Sequence, residues 1–339
     1  MRSIPPRTIL ALVLAGGKGT RLYPLTADHA KPALPFAGRH RIVDFVLSNL
    51  VNSGISPIYV LAEYQPQSLI EHLRRTWGLG RANPDYRLEV VLPRSGSSPG
   101  RFRGTADAVY QNLQLIDRHR PDMVAVFAAD HIYRMDVRQM EQFHRMHNAE
   151  VSVAAVPVPL EKARSLGVMI TSADGRIRDF QEKPSTPAPI PARLTHAYAS
   201  MGNYLFDPQV LARALRETNA RDEHDFGRDL LPRLTRTHRG YAYDFSGNRV
   251  PGVRPYEERG YWRDVGTIEA YLEAQADVAG PRPRFHLRNS HWPIRAAADD
   301  FSSGTRELEQ PQTDRASPVI SRSRVEPRAE PEPPAGPSH

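Results

Sequence analysis

The stretch Gly16-Gly17-Lys18-Gly19-Thr20-Arg21 follows an apolar run, Ile9 to Ala15, and its residue types suit an anion. Three glycines let the backbone approach a phosphate and aim N–H groups at it, and Lys18 and Arg21 add cations. The spacing is not that of a Walker loop, since Lys18 is followed by Gly19 rather than a hydroxyl residue. Nor is it a dinucleotide fingerprint, since Leu22 stands where the third glycine belongs. A glycine turn between strand and helix would explain the same residues with no ligand. Asp130 closes the run Met123 to Ala129, and a carboxylate there would stand at the carboxyl edge of a sheet, where α/β proteins bind ligands. His144 and His147 are three apart and could hold a metal, but in a charged helical stretch they read as a solvated face. No Gly-x-Ser-x-Gly element occurs, so a hydrolase triad has no starting point.

The elements that must position these residues follow from hydrophobic patterning. Ile9–Ala15 has two readings: the apolar core of a signal peptide behind Arg2 and Arg7, or a strand buried on both faces of a parallel sheet. The strand explains more, because runs of the same kind recur at Ile58–Ala62, Leu88–Leu92, Met123–Ala129 and Val151–Val158. Helical spacing lies between them at Val43–Asn52, Gln67–Trp77, Ala106–His119 and Met135–His147. This alternation predicts a doubly wound parallel sheet. The stretch Gly167–Ala279 is less regular, with strands expected at Gly167–Thr171 and Met201–Phe206 and helices at Pro208–Glu217 and Ile268–Val278. It reads as an extension of the same domain.

The 339 residues are 40% hydrophobic, enough for about two cored domains. Forty-five Lys and Arg against 38 Asp and Glu give a net charge of +7, spread along the chain, which favours a small anionic substrate over nucleic acid. There is no cysteine, which excludes disulfides, thiolate metal sites and cysteine nucleophiles. No apolar run reaches the roughly 18 residues of a membrane span, and a cytoplasmic location with no membrane partner is expected. After Asp299 only Phe301, Leu308, Val319, Ile320 and Val325 stand among proline, serine and charge, so residues 299–339 are expected to be a disordered tail. Ser321-Arg322-Ser323-Arg324 could touch RNA, though a solvated tail accounts for it.

The segments GGKGTRL, AKPALPFAG, RIVDFVLSN, FRGTADAV, DHIY, EKP, ASMGNYLFD, HDFGRDLLP and YWRDVGT, in this order, resemble the glucose-1-phosphate adenylyltransferases of bacterial glycogen synthesis. The likeness runs from about Ile9 to Arg295. It implies a Rossmann-like α/β nucleotidyltransferase domain, with a mostly parallel mixed sheet flanked by helices, over residues 1–280. A linker at 281–298 and the tail complete the chain. The implied reaction joins glucose 1-phosphate to the α-phosphorus of ATP and expels pyrophosphate, chemistry that rests on alignment and charge neutralisation.

By the resemblance, Ala15, Gly16, Gly17, Lys18, Gly19, Thr20, Gly104 and Thr105 bind the nucleotide, and Arg21, Lys31 and Asp130 are catalytic. Phe102, Gly167, Glu182, Lys183 and Ser200 bind the sugar phosphate, and Asp130 with Asp264 holds Mg²⁺. Spacing alone does not connect Asp130 to Asp264, which read separately as capping or turn residues. Four positions depart from the family: Asp28 and His29 replace basic residues near its activator site, Glu63 a common glutamine before the tyrosine, and Ala129 a glycine.

Family members continue after a segment like Asn289-Ser-His-Trp-Pro-Ile-Arg295 into a left-handed β-helix that supports oligomer contacts. That pattern is missing here, and truncation or a frame shift after about Ala298 is the expected cause; it argues against the family's tetramer. Two alternatives remain open. One is a uridylyl-, thymidylyl- or guanylyltransferase, and the other is a truncated subunit that binds without turnover.

Overall fold

The computed structural model describes residues 8–94 and 101–297. The expectations for residues 299–339 lie outside the described residues.

Strand β1 (Ile9–Ala15) is apolar throughout because it is central, with parallel neighbours on both edges: β4 (Ile58–Ala62) and β6 (Met123–Ala128). Between β1 and β4 lie a hairpin of β2 (Pro35–Phe36) and β3 (His40–Arg41), then α1 (Ile42–Asn52). Next come α2 (Pro66–Trp77), β5 (Leu88–Val91), α3 (Thr105–Tyr110) and α4 (Leu113–His119). After β6 the chain forms β7 (His131–Tyr133), α5 (Val137–Met146), β8 (Val151–Pro159), α6 (Leu160–Ala163), β9 (Gly167–Thr171), β10 (Ile177–Glu182) and β11 (His196–Phe206). It finishes with α7 (Pro208–Ala220), α8 (Leu231–Thr237), β12 (Gly240–Asp244), β13 (Trp262–Asp264) and α9 (Ile268–Asp277).

The main sheet has nine strands in the order β10-β9-β11-β6-β1-β4-β5, with β8 and then β12 branching from β11. Seven strands run one way, and only β10 and β11 oppose them. The sheet is therefore mixed and mostly parallel, as expected. Alternate residues of β1 enter opposite cores. Ala11 and Val13 pack with Leu47, Leu69, Leu73 and Met140 on one face; Leu10 and Leu12 pack with Val109, Ile116, Leu211 and Leu231 on the other. Each such aliphatic side chain contributes about 1.5–3 kcal/mol on burial, which is why an all-apolar run must sit mid-sheet. That placement answers the choice at Ile9–Ala15 in favour of the strand.

A third core holds the parts that reach the site. Leu22, Leu34, Phe36, Phe45, Ile132, Val265, Tyr271, Phe285 and Ile294 pack together, joining the hairpin, β7, α9 and the chain beyond it. Residues 281–297, expected as a linker, are laid against the domain with Phe285, Trp292 and Ile294 buried. Arg134, itself buried, pairs with Glu257 at 3.1 Å, donates to the His286 carbonyl at 2.6 Å and lies 4.3 Å from the Phe285 ring centre.

Two expectations need correction. The single helix expected over Ala106–His119 is two, because the Asn112 side chain donates to the Ala108 carbonyl and so competes with the backbone ladder at the break. His144 is not on a solvated face: it is 4% exposed and Nδ1 meets Ser152 Oγ at 2.9 Å, while the His147 ring packs at a tilt against Phe143 with centroids 4.2 Å apart.

Candidate active site

The parallel strands β1, β4 and β6 end at one edge, and each delivers chemistry there. After β1 comes the glycine loop. Gly19 has φ +62°, and a Cβ on it would lie 2.8 Å from Thr26 Cγ2, so both backbone and packing favour glycine. Thr26 Oγ1 donates to the Gly19 carbonyl at 2.9 Å, locking the turn. Thr20–Leu22 forms one 3₁₀ turn rather than a long helix, so the loop offers an anion its amides and cations, not a helix macrodipole.

A cleft of about 540 Å³ opens beside this loop. Of the expected residues it gathers Ala15, Gly16, Gly17, Lys18, Lys31, Phe102, Gly104, Thr105, Asp130 and Glu182. Arg21 and Asp264 line a second cleft, and the two meet at Lys31. Gly19, Thr20, Gly167, Lys183 and Ser200 line neither. Gly167 lies beneath Glu182, where a Cβ would press on Phe180 at 2.6 Å and Glu182 Oε2 at 3.1 Å. Lys183 is exposed with φ +48° and pairs with Glu182 at 3.1 Å, and Ser200 Oγ accepts from the Gly202 amide at 3.2 Å.

Lys31 sits in a 3₁₀ turn, Lys31–Ala33, and is buried. Its Nζ donates to Asp130 Oδ2 at 2.7 Å and stands 3.6 Å from Asp264 Oδ1. Burial opposes the ammonium, but the two carboxylates outweigh it and raise the pKa. Burial likewise opposes the Asp130 carboxylate, and Lys31 and His131 outweigh it and lower the pKa. Asp264 reaches this point because β13 pairs antiparallel with β7, setting Asp264 opposite His131. Thr267, not Asp264, caps α9.

The donor set fits Mg²⁺. Oxygens of Asp130 and Asp264 and a nitrogen of His131 lie within 4.8 Å of one another, and hard carboxylate oxygens suit the ion better than the imidazole. Gly266 leaves the space: a Cβ there would stand 3.0 Å from both Asp264 Oδ1 and Arg21 Nη2.

The far wall was only partly legible. Thr105 Oγ1 meets Asp225 Oδ2 at 3.1 Å and accepts from the Phe226 amide at 3.0 Å, and Gly104 faces the His224 carbonyl. Gly227 leaves room for Glu182, whose Oε2 would be 2.6 Å from a Cβ. Asp225, Gly227, Gly202 and Tyr204 line the cleft without having been singled out; the segments HDFGRDLLP, for the first two, and ASMGNYLFD, for the others, were their only signal.

Residues 10–280 match the family described as Nucleotidyl transferase. Glucose-1-phosphate adenylyltransferase of Thermodesulfovibrio yellowstonii is 54% identical over 290 residues, covering 85% of this chain and 71% of that protein. Its counterpart in Thermus thermophilus is 48% identical over 297 residues, with 85% and 71% covered. That of Corynebacterium glutamicum is 45% identical over 293, with 86% and 71% covered. The chain belongs to the glucose-1-phosphate adenylyltransferase family. It is a nucleotidyltransferase. Among the described residues no helix is long and apolar enough to cross a membrane.

Proposed function

We propose that the protein transfers the adenylyl group of ATP to glucose 1-phosphate, giving ADP-glucose and pyrophosphate for α-glucan synthesis. The observation that carries this reading is Lys31 set between Asp130 and Asp264 at the junction of the glycine-loop cleft with its neighbour. A phosphate oxygen of the sugar attacks the α-phosphorus and pyrophosphate leaves, so charge moves from one phosphate to the other. Lys18, Arg21 and the loop amides would hold the triphosphate, and Lys31 would meet the charge at the reacting phosphorus. Asp130 and Asp264 would hold Mg²⁺, which when bound neutralises phosphate charge. Glu182 and Lys183, with Phe102, Gly167 and Ser200 around them, would receive the sugar phosphate.

Purified protein with glucose 1-phosphate, Mg²⁺ and each of ATP, UTP, dTTP and GTP should release pyrophosphate mainly with ATP. Preference for another nucleotide overturns the adenylyl assignment, and no release with any of them overturns the activity. Asp130→Asn should reduce turnover by at least about two orders of magnitude with unchanged circular dichroism. Near-normal turnover would remove Asp130 from the mechanism.

A further inference from the structure

Several glycines at this site have a reason in the fold. Gly19 and Gly202 hold left-handed φ values of +62° and +68°, and a Cβ on Gly104 would strike the backbone of His224. Gly266 has neither reason. It lies between β13 and Thr267, the residue that caps α9, and it is buried. Its φ is outside the left-handed region, so nothing in φ excludes alanine. What a Cβ would meet is the site itself. The three nearest atoms would be Arg21 Nη2 and Asp264 Oδ1, both at 3.0 Å, and Asp264 Oδ2 at 3.4 Å. All three are ends of side chains, which can swing aside without disturbing a core.

Those two side chains are the ones assigned above to the triphosphate and to Mg²⁺. Arg21, Asp264 and Gly266 line the second cleft together, Lys31 Nζ stands 3.6 Å from Asp264 Oδ1, and Arg21 is near enough to Lys31 to oppose its ammonium. Among the described residues the Arg21 guanidinium has no hydrogen bond or ion pair, so it is open to an anion. In the transfer the bond from the sugar phosphate oxygen to the α-phosphorus forms as the bond to the bridging oxygen breaks, and pyrophosphate leaves with the electron pair. Charge grows on that pyrophosphate, and a guanidinium and a metal-holding carboxylate serve it together only if both reach the same phosphate. A methyl group on Gly266 would fill the gap across which they do so.

Resting on the nucleotidyl-transfer reading of this junction, we propose that Gly266 is a positioning residue of the reaction: its missing side chain lets the Arg21 guanidinium stand beside Asp264, so that both meet the leaving pyrophosphate. Gly266→Ala should leave the fold alone and displace those two groups, so thermal unfolding should stay within about 2 °C of wild type. Removing one electrostatic donor outright costs about 10²–10³-fold in turnover, and displacing one should lower kcat about tenfold or more. Affinity for magnesium pyrophosphate, read by calorimetry, should fall about fivefold or more. In an Arg21→Ala background the same glycine substitution should change that affinity less than about twofold, because the methyl group then has no guanidinium to displace and Asp264 has room to give.

A Gly266→Ala protein that does not fold, or that melts more than about 5 °C below wild type, assigns the glycine to the fold and overturns the proposal. An equal loss of pyrophosphate affinity with and without Arg21 overturns it too, since the glycine then does not act through the guanidinium. If the wild-type protein neither releases nor binds pyrophosphate, the reading of the junction fails and the proposal with it. If the wild type does both and Gly266→Ala matches it, the proposal alone falls.

Discussion

Replacing Gly104 with alanine tests how the nucleotide wall is joined to the rest of the domain. Gly104 is extended, so its backbone suits any residue; the constraint is contact. A Cβ would lie 2.5 Å from the His224 carbonyl oxygen and 3.0 Å from its carbon, both backbone atoms that cannot rotate away. Restoring ordinary contact requires a shift of roughly 1 Å. That same carbonyl accepts from the Ala106 amide at 2.8 Å and the Asp107 amide at 3.2 Å, and both bonds lengthen with it. Two weakened hydrogen bonds losing about 0.5 kcal/mol each, with overpacking at about 1–3 kcal/mol, put the destabilisation near 2–4 kcal/mol. For a chain of this size the apparent melting temperature should fall roughly 5–15 °C.

Gly247→Ala is the control, since nothing lies within 4 Å of its Cβ, and it should stay within about 0.5 kcal/mol of wild type. Thermal unfolding followed by circular dichroism reads both. If Gly104→Ala melts together with Gly247→Ala, the contact between α3 and the His224 segment is not the rigid joint described. Because Thr105 lines the cleft, Gly104→Ala should also raise KM for the nucleotide.

Two further expectations concern charge. Glu257→Gln leaves the Arg134 guanidinium buried beside Phe285 without its anion and should cost about 3–5 kcal/mol in denaturant unfolding. A single-variant loss under about 1 kcal/mol would contradict the buried pair. Burial holds His40 below the ordinary imidazole value of 6.5, with Asp44 acting the other way. The unfolded chain therefore takes up that proton first. Stability is full above the unfolded pKa and is lost as pH falls through the folded one, so His40→Gln should flatten the slope of unfolding free energy between about pH 7 and about pH 5. An unchanged slope would exclude His40 as a contributor.

The readable strands were those buried on both faces. Ile9–Ala15, Ile58–Ala62 and Met123–Ala128 announce themselves because central parallel strands have no solvent face to encode. Strand β10 and helix α8 were missed for the opposite reason: Ile177-Arg-Asp-Phe-Gln-Glu182 has four polar residues in six, and Leu231–Thr237 is short with proline in its first turn. Strand β11 was read only from Met201. Its first half alternates buried and half-buried residues against β8 and β9, and a register shift between Ser200 and Tyr204, with Gly202 at φ +68°, divides it. His144 misled because a charged helix does not show which of its polar residues turns inward.

Local chemistry by itself determined the glycine loop, the central strands and the carboxylate after β6, because glycine freedom, apolar continuity and strand ends are properties of adjacent residues. Only the tertiary structure decided that Asp264 stands with Asp130 around Lys31: that meeting depends on β13 pairing with β7, a ladder between segments with no shared pattern in the chain. It likewise decided that Glu63, nearly buried, stands 3.6 Å from Arg101, a meeting between segments 38 residues apart in the chain.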